Sequence, residues 1–208
     1  MAEERQGARG RMVVLDGVDG CGKSTQAGLL AKRLGASGAE VLHVREPGTT
    51  RVGEALRALL LDPGATMGAE VEALLFAASR RQLLDEIIGP ALERGAHVVC
   101  ERFHASTFAY QGIAGEVGGA AVLGLLQAWA GEPAPDLELI LELDPDRAAG
   151  RQGAEPDRIE AKGLAFQQRV AGGYRDYVSR RGQARLIDGS GDIEAVAARV
   201  WQEVADAL

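Results

Sequence analysis

Asparagine is absent from the chain. Without it there is no Asn-Lys-x-Asp segment of the kind with which GTPase switches read guanine, so composition alone excludes that class. Nor is there the Leu-Ser-Gly-Gly-Gln segment of transporter ATPases. Cysteine is scarce: Cys21 and Cys100 stand far apart, which predicts neither a disulfide framework nor a zinc site. His43, His97 and His104 are not spaced as metal ligands. No apolar run approaches the ~18 residues a membrane helix needs, and Ala2 to Arg11 is polar where a signal peptide would be apolar. The expectation is a cytoplasmic protein with no membrane contact. A net charge of -7 lacks the basic excess of proteins that grip nucleic acid polymers. The expected ligand is instead a small anion held by local arginines.

Lysine is rare as well. Of 23 basic residues only Lys23, Lys32 and Lys162 are lysine, and Lys23 falls in the chain's most informative stretch. Gly17, Gly22, Lys23 and Ser24 have the spacing G-x-x-x-x-G-K-[ST], in which glycines let the backbone curl so that successive N–H groups face phosphate oxygens. Val13, Val14 and Leu15 before it read as a short strand. Ala27, Leu30, Ala31 and Leu34 after it recur at helical spacing, and a helix start adds a positive dipole end. The pattern predicts an ATP-type phosphate site over Gly17, Asp19, Gly20, Cys21, Gly22, Lys23, Ser24 and Thr25. Lys23 would reach the β and γ phosphates and the Ser24 hydroxyl would meet Mg²⁺.

The remaining chain alternates strands and helices. Strands are expected at Val41–Val44, His97–Cys100, Leu137–Leu143 and Ala184–Ile187. Between them the spacing predicts a helix over Val52–Leu60 with Arg51 and Arg57 on its outer face. A longer helix from about Gly68 would bury Val71, Leu74, Leu75, Ala78, Leu83, Leu84 and Ile87, with a break or restart at Pro90. Further helices are read at Ser106–Gly112, Val117–Ala130, from Asp157 to about Arg181, and from Ile193 to Ala207. This order predicts one α/β domain, residues 11–208, with a five-stranded parallel sheet covered by helices on both sides. Residues 1–10 are expected to form a mobile tail. The third strand would deliver Glu101 and Arg102 at its C-terminal end, where ligands of open α/β sheets collect.

Taken in order, several stretches together resemble thymidylate kinase: Asp16 to Gln26, Arg45-Glu46-Pro47-Gly48, Leu75-Phe76-Ala77-Ala78-Ser79-Arg80, Glu101-Arg102, Ser106 to Gly112, Pro135-Asp136-Leu137 and Asp157-Arg158-Ile159-Glu160. The resemblance implies a P-loop nucleoside monophosphate kinase fold, with MgATP as donor, dTMP as acceptor and a homodimer as the assembly. It implies that Phe76 stacks on the base, that Arg80 meets the base and its surroundings, and that Thr107 and Gln111 read its edge. Tyr110 would lie beneath the sugar and favour deoxyribose. Arg57 and Arg102 would clamp the acceptor phosphate, with Asp19, Glu46 and Pro47 lining the same cavity. Residues 147–158 would form the lid over ATP, and because Gly20 stands where one branch of the family has a catalytic arginine, Arg151 or Arg158 would supply that charge. On periodicity alone, Phe76 reads equally well as core, and Arg57 and Arg80 as solvated charges.

Two positions depart from the family pattern. Glu101 replaces an aspartate expected to hold the metal's water shell, so its longer side chain must fold back or the metal must shift. Thr49 replaces the second glycine of the Arg-Glu-Pro-Gly-Gly-Thr stretch. These leave two alternatives open: a kinase of another nucleoside monophosphate or deoxynucleoside, and a nucleotide-binding homologue impaired in catalysis.

Overall fold

Met12–Gly17 forms a strand, β1, buried along its whole length. With β2 (Val41–Arg45), β3 (His97–Glu101), β4 (Leu137–Glu142) and β5 (Ala184–Asp188) it builds one sheet in the order β2-β3-β1-β4-β5, every pair parallel. The structure, a computed structural model, describes residues 9–151 and 157–207. Alternate residues of the central strand serve opposite faces. Val13 and Leu15 pack with α1 (Lys23–Gly35), α8 (Leu164–Ser179) and α9 (Ile193–Ala207). Met12 and Val14 pack with Leu83, Leu84, Ile88 and Leu92 on the other side. Burial on both faces is why the strand reads as an unbroken apolar run.

The long helix departs from its expected pattern twice. It runs as α3 (Ala69–Leu83), widens into a π-helical stretch at Leu84–Ile88 and continues as α4 (Gly89–Glu93). Pro90 therefore does not break it. Its missing N–H and bulky ring fall just after the widened turn, where the ordinary ladder is already interrupted. The inward face of α3 is Glu72, Ala73, Ala77, Ser79, Arg80 and Leu83, while Val71 and Leu74, expected in the core, are 47% and 56% exposed. Phe76 and Arg80 of this helix line a cavity.

The helix expected from Asp157 is also interrupted. Asp157 Oδ1 accepts from the N–H groups of Ile159 and Glu160, a short 3₁₀ turn follows at Glu160–Lys162, and Gly163 at φ 82° separates it from α8. Of the expected mobile tail, residues 1–8 lie outside the described residues, but Arg9 and Gly10 are held. Gly10 donates its N–H to Leu92 O at 2.9 Å, and Arg9 and Arg11 both reach Asp136.

One buried acid interrupts the apolar β4. Glu138 is fully buried and accepts from the Tyr177 hydroxyl at 2.9 Å. Burial raises its carboxyl to about 7. A carboxyl whose folded pKa lies above its unfolded value stabilises the fold below the unfolded value and loses that contribution as pH rises through the folded one. Unfolding in urea should show wild-type stability falling by about 2 kcal/mol more than that of Glu138→Gln between pH 5 and 8; parallel curves for the two proteins would refute the assignment.

Candidate active site

The neighbouring C-terminal ends of β1 and β3 carry the site, fixed by the pairing of Leu15 with Glu101. The loop leaving β1 turns at Gly17, Gly20 and Gly22, all at positive φ. Helix α1 then begins without any side-chain cap or first-turn acid. Its first N–H groups have no partners within the helix, so the loop and helix start form a cradle suited to an anion. Lys23 Nζ lies within this loop, 3.2 Å from Val18 O and 3.4 Å from Asp19 Oδ1. Ser24 and Thr25 are exposed, while Cys21 is buried against the sheet.

Asp16, at the end of β1, is 0% exposed and spends its carboxylate on structure. Oδ1 accepts from Gly17 N–H and the hydroxyls of Ser106 and Tyr174, and Oδ2 from the N–H groups of Phe103 and Ser106. These bonds fix the chain after β3, where Arg102 sits at φ 66°. The Arg102 guanidinium ion-pairs with Asp19 and donates to Ser106 Oγ at 2.9 Å. Burial works against its charge, but Asp19 and Asp16 hold its pKa well above the usual arginine value. Burial likewise opposes ionisation of Asp19, and Arg102, Lys23 and the Tyr110 hydroxyl outweigh it, bringing that carboxyl down to about 2.

A cavity of about 260 Å³ runs from this loop to α3, lined by every side chain expected to bind substrate: Asp19, Glu46, Pro47, Arg57, Phe76, Arg80, Arg102, Thr107, Tyr110 and Gln111. Arg45 and Arg57 add positive charge beside Arg102, and Arg57 Nη1 donates to Pro47 O at 3.0 Å. Arg80, 1% exposed, is no solvated helix charge. It donates to Glu46 Oε2 at 2.6 Å, Phe103 O at 3.0 Å and Thr107 Oγ1 at 3.2 Å. Its Nη1 and the second oxygen of Glu46 are buried without a partner among the described residues, which marks polar contacts left over for a ligand. Tyr110 places its hydroxyl 2.8 Å from Asp19 Oδ2.

Both departures from the family pattern have a local solution. Thr49 takes the left-handed φ of 70° normally left to glycine. Its N–H donates to Glu54 at 2.8 Å, and its hydroxyl donates to Arg45 O while accepting from Arg45 N–H. Glu101 folds back: one carboxylate oxygen contacts Ser24 Oγ and the other lies 2.8 Å from His43 Nε2. A hydroxyl and a carboxylate oxygen at the mouth of an anion cradle are a donor set that fits Mg²⁺, which keeps several ligand positions for water and phosphate.

The lid arginines separate. Arg158 does not line the cavity: it donates to Glu72 Oε1 at 2.6 Å and Leu60 O at 2.9 Å. In this arrangement Arg158 is paired with the buried Glu72 of α3. Arg151 is exposed just past α7 (Pro145–Ala149), and residues 152–156 of the expected lid lie outside the described residues. A side chain on Gly20 would place its Cβ 2.3 Å from Ala148 O. Sequence reading missed Ser106, Tyr174, Glu72 and Lys162. Lys162 had a signal in the rarity that drew attention to Lys23, and Ser106 in its place at the start of the Ser106 to Gly112 stretch.

The thymidylate kinase family model matches residues 15–200 of the chain. The thymidylate kinase of Nitrobacter hamburgensis is 42% identical over 205 residues, covering 95% of this chain and 89% of the relative. That of Bradyrhizobium diazoefficiens is 40% identical over 214 residues, covering 100% and 94%, and that of Rhodopirellula baltica 39% identical over 189 residues, covering 90% and 77%.

The electrostatics of Asp19 predict an acid limb to stability. A carboxyl whose folded pKa lies below its unfolded value contributes above the unfolded value and loses that contribution as pH falls through the folded one. Between pH 5 and 2.5 the wild type should lose about 1–2 kcal/mol more than Asp19→Asn in urea unfolding; equal losses would show that the Arg102 and Lys23 charges do not act on Asp19.

Proposed function

The chain belongs to the thymidylate kinase family, and we propose that it transfers the γ-phosphoryl group of ATP to dTMP, giving dTDP and ADP. It is an ATP-dependent phosphotransferase. The observation that carries the substrate reading is a single cavity joining Lys23 and Ser24 at one end to Phe76, Arg80, Thr107 and Gln111 at the other. Phosphate and base are thus held within reach of the same loop.

Two anionic nucleotides must approach one another, and negative charge spreads over the transferred group, so positioned cations supply most of the catalysis. The residues Gly17 to Thr25 cradle the donor phosphates, and Lys23 neutralises the transferring group. Arg57 and Arg102 hold the acceptor phosphate. A general base is unnecessary, since the nucleophile is already a phosphate oxygen. Tyr110 packs where a ribose 2′-hydroxyl would intrude. Ser24 and Glu101 are the residues that would hold Mg²⁺, which when bound neutralises charge on the donor phosphates. Gly20 has no room for a side chain, and Arg158 is committed to Glu72. We therefore assign the lid charge to Arg151, carried on a lid spanning residues 147–158 whose closure excludes water.

A homodimer is the proposed assembly. Val52 and Leu59 of α2 (Arg51–Leu61), Val71 and Leu74 of α3, and Trp129 of α6 (Gly119–Ala130) are 46–69% exposed. Helix α3 packs against both α2 and α6, so these side chains come from adjoining helices, as a self-complementary interface requires. The proposed compartment is the cytoplasm.

A coupled ADP-release assay with dTMP, dUMP, UMP, CMP, AMP and thymidine tests the reaction. Turnover should be fastest with dTMP; ADP release with another acceptor and none with dTMP would overturn the assignment, and no release with any acceptor would favour the catalytically impaired binder. Arg151→Ala should lower kcat about 10²-fold with little change in KM for dTMP. If Arg158→Ala instead produced that kcat loss, the lid assignment would move to Arg158.

A further inference from the structure

Glu72 lies on the inward face of α3, 1% exposed, and both its oxygens are fully engaged. Oε1 accepts from Arg158 Nη1 at 2.6 Å and Lys162 Nζ at 2.8 Å. Oε2 accepts from Lys162 Nζ at 3.1 Å and Gln111 Nε2 at 2.9 Å. Burial opposes the charge of Glu72, and these donors outweigh it, holding the carboxyl below its ordinary range. An ionised carboxylate only accepts hydrogen bonds, so the end of the Gln111 amide turned toward it has to be the NH₂ group. The reverse orientation would set the amide oxygen against a carboxylate oxygen in a buried site, leaving both unsatisfied. The amide oxygen of Gln111 is thereby directed away from Glu72, on a side chain that lines the cavity beside Phe76 and Arg80.

We propose that Glu72 is a positioning residue for base selection: by accepting from the Gln111 NH₂ group it turns the Gln111 carbonyl oxygen toward the bound base and selects a pyrimidine carrying N–H at N3. The proposal rests on the cavity being the dTMP site. Thymine and uracil present N3–H to that oxygen, whereas cytosine presents a lone pair, which would oppose two acceptors and leave both unpaired. Arg158 and Lys162 neutralise Glu72 and occupy its remaining acceptor positions. Base selection and the placement of Arg158 and Lys162 therefore share one carboxylate.

The test is kcat/KM for dTMP and dCMP with wild type, Glu72→Gln and Glu72→Asp. An amide at position 72 can face Gln111 with either end, so Glu72→Gln should narrow the dTMP-to-dCMP ratio about tenfold or more, chiefly through a higher KM for dTMP. Glu72→Asp keeps the charge that Arg158 and Lys162 need while withdrawing the acceptor from Gln111. It should narrow the ratio as well, and it provides the reading if Glu72→Gln does not fold. Equal losses for both nucleotides, with the ratio unchanged, would make Glu72 a support of the fold alone and overturn the proposal. So would a wild type that handles dCMP as well as dTMP. A wild type active on other acceptors but inert with dTMP would sink the reaction assignment itself, and the proposal with it.

Discussion

The Asp16 carboxylate joins the two halves of the site. Five hydrogen bonds, to Gly17 N–H, Phe103 N–H, Ser106 N–H, Ser106 Oγ and Tyr174 OH, tie the loop after β1 to the segment after β3 and to α8. Hydrogen bonds to a charged group contribute more than neutral ones, roughly 1.5–3 kcal/mol each. They also hold Arg102 in a left-handed backbone conformation that a long side chain does not adopt unaided. Without this junction the glycine loop and the arginine that faces it would be independent surface features. With it they form two walls of one cavity.

Charge inside that cavity is arranged in partnered groups. Asp19 lies between Arg102 and Lys23, Glu46 is paired with Arg80, and Glu72 is shared by Arg158 and Lys162. Each acid gives a buried or half-buried cation a partner, where an unpaired buried charge would cost roughly 3–5 kcal/mol. Arg45 and Arg57 line the same cavity beside Arg102. An incoming phosphate thus meets a local cluster of guanidinium groups although the chain as a whole is acidic. Local arrangement, not overall charge, selects the ligand.

The positions of strands and helices along the chain were legible in the residues because sheet and helix impose short periods on burial, and a strand buried on both faces has little freedom in composition; the order of strands within the sheet was not. Where the reading failed, burial followed function instead. On the inward face of α3 the polar Glu72, Ser79 and Arg80 sit among Ala73, Ala77 and Leu83, and Arg80 lines the cavity, so a rule that sends apolar residues inward chose Val71 and Leu74 and passed over Glu72. The missed break before α8 has a similar origin, since Asp157 caps a 3₁₀ turn that helical spacing alone does not reveal.

The sequence by itself determined the nucleotide-binding class and the glycine loop with Lys23 and Ser24, because these rest on residue identity at a fixed local spacing, while the resemblance to thymidylate kinase pointed to many of the side chains that line the cavity. Only the tertiary structure decided how those side chains pair: that Glu101 folds back to Ser24 and His43, that Arg158 goes to Glu72 and not to the loop, and that Gly20 has no room for an arginine. These are contacts between residues tens to more than a hundred positions apart. They depend on distances and on competition among buried charges, which a linear order of residues does not encode.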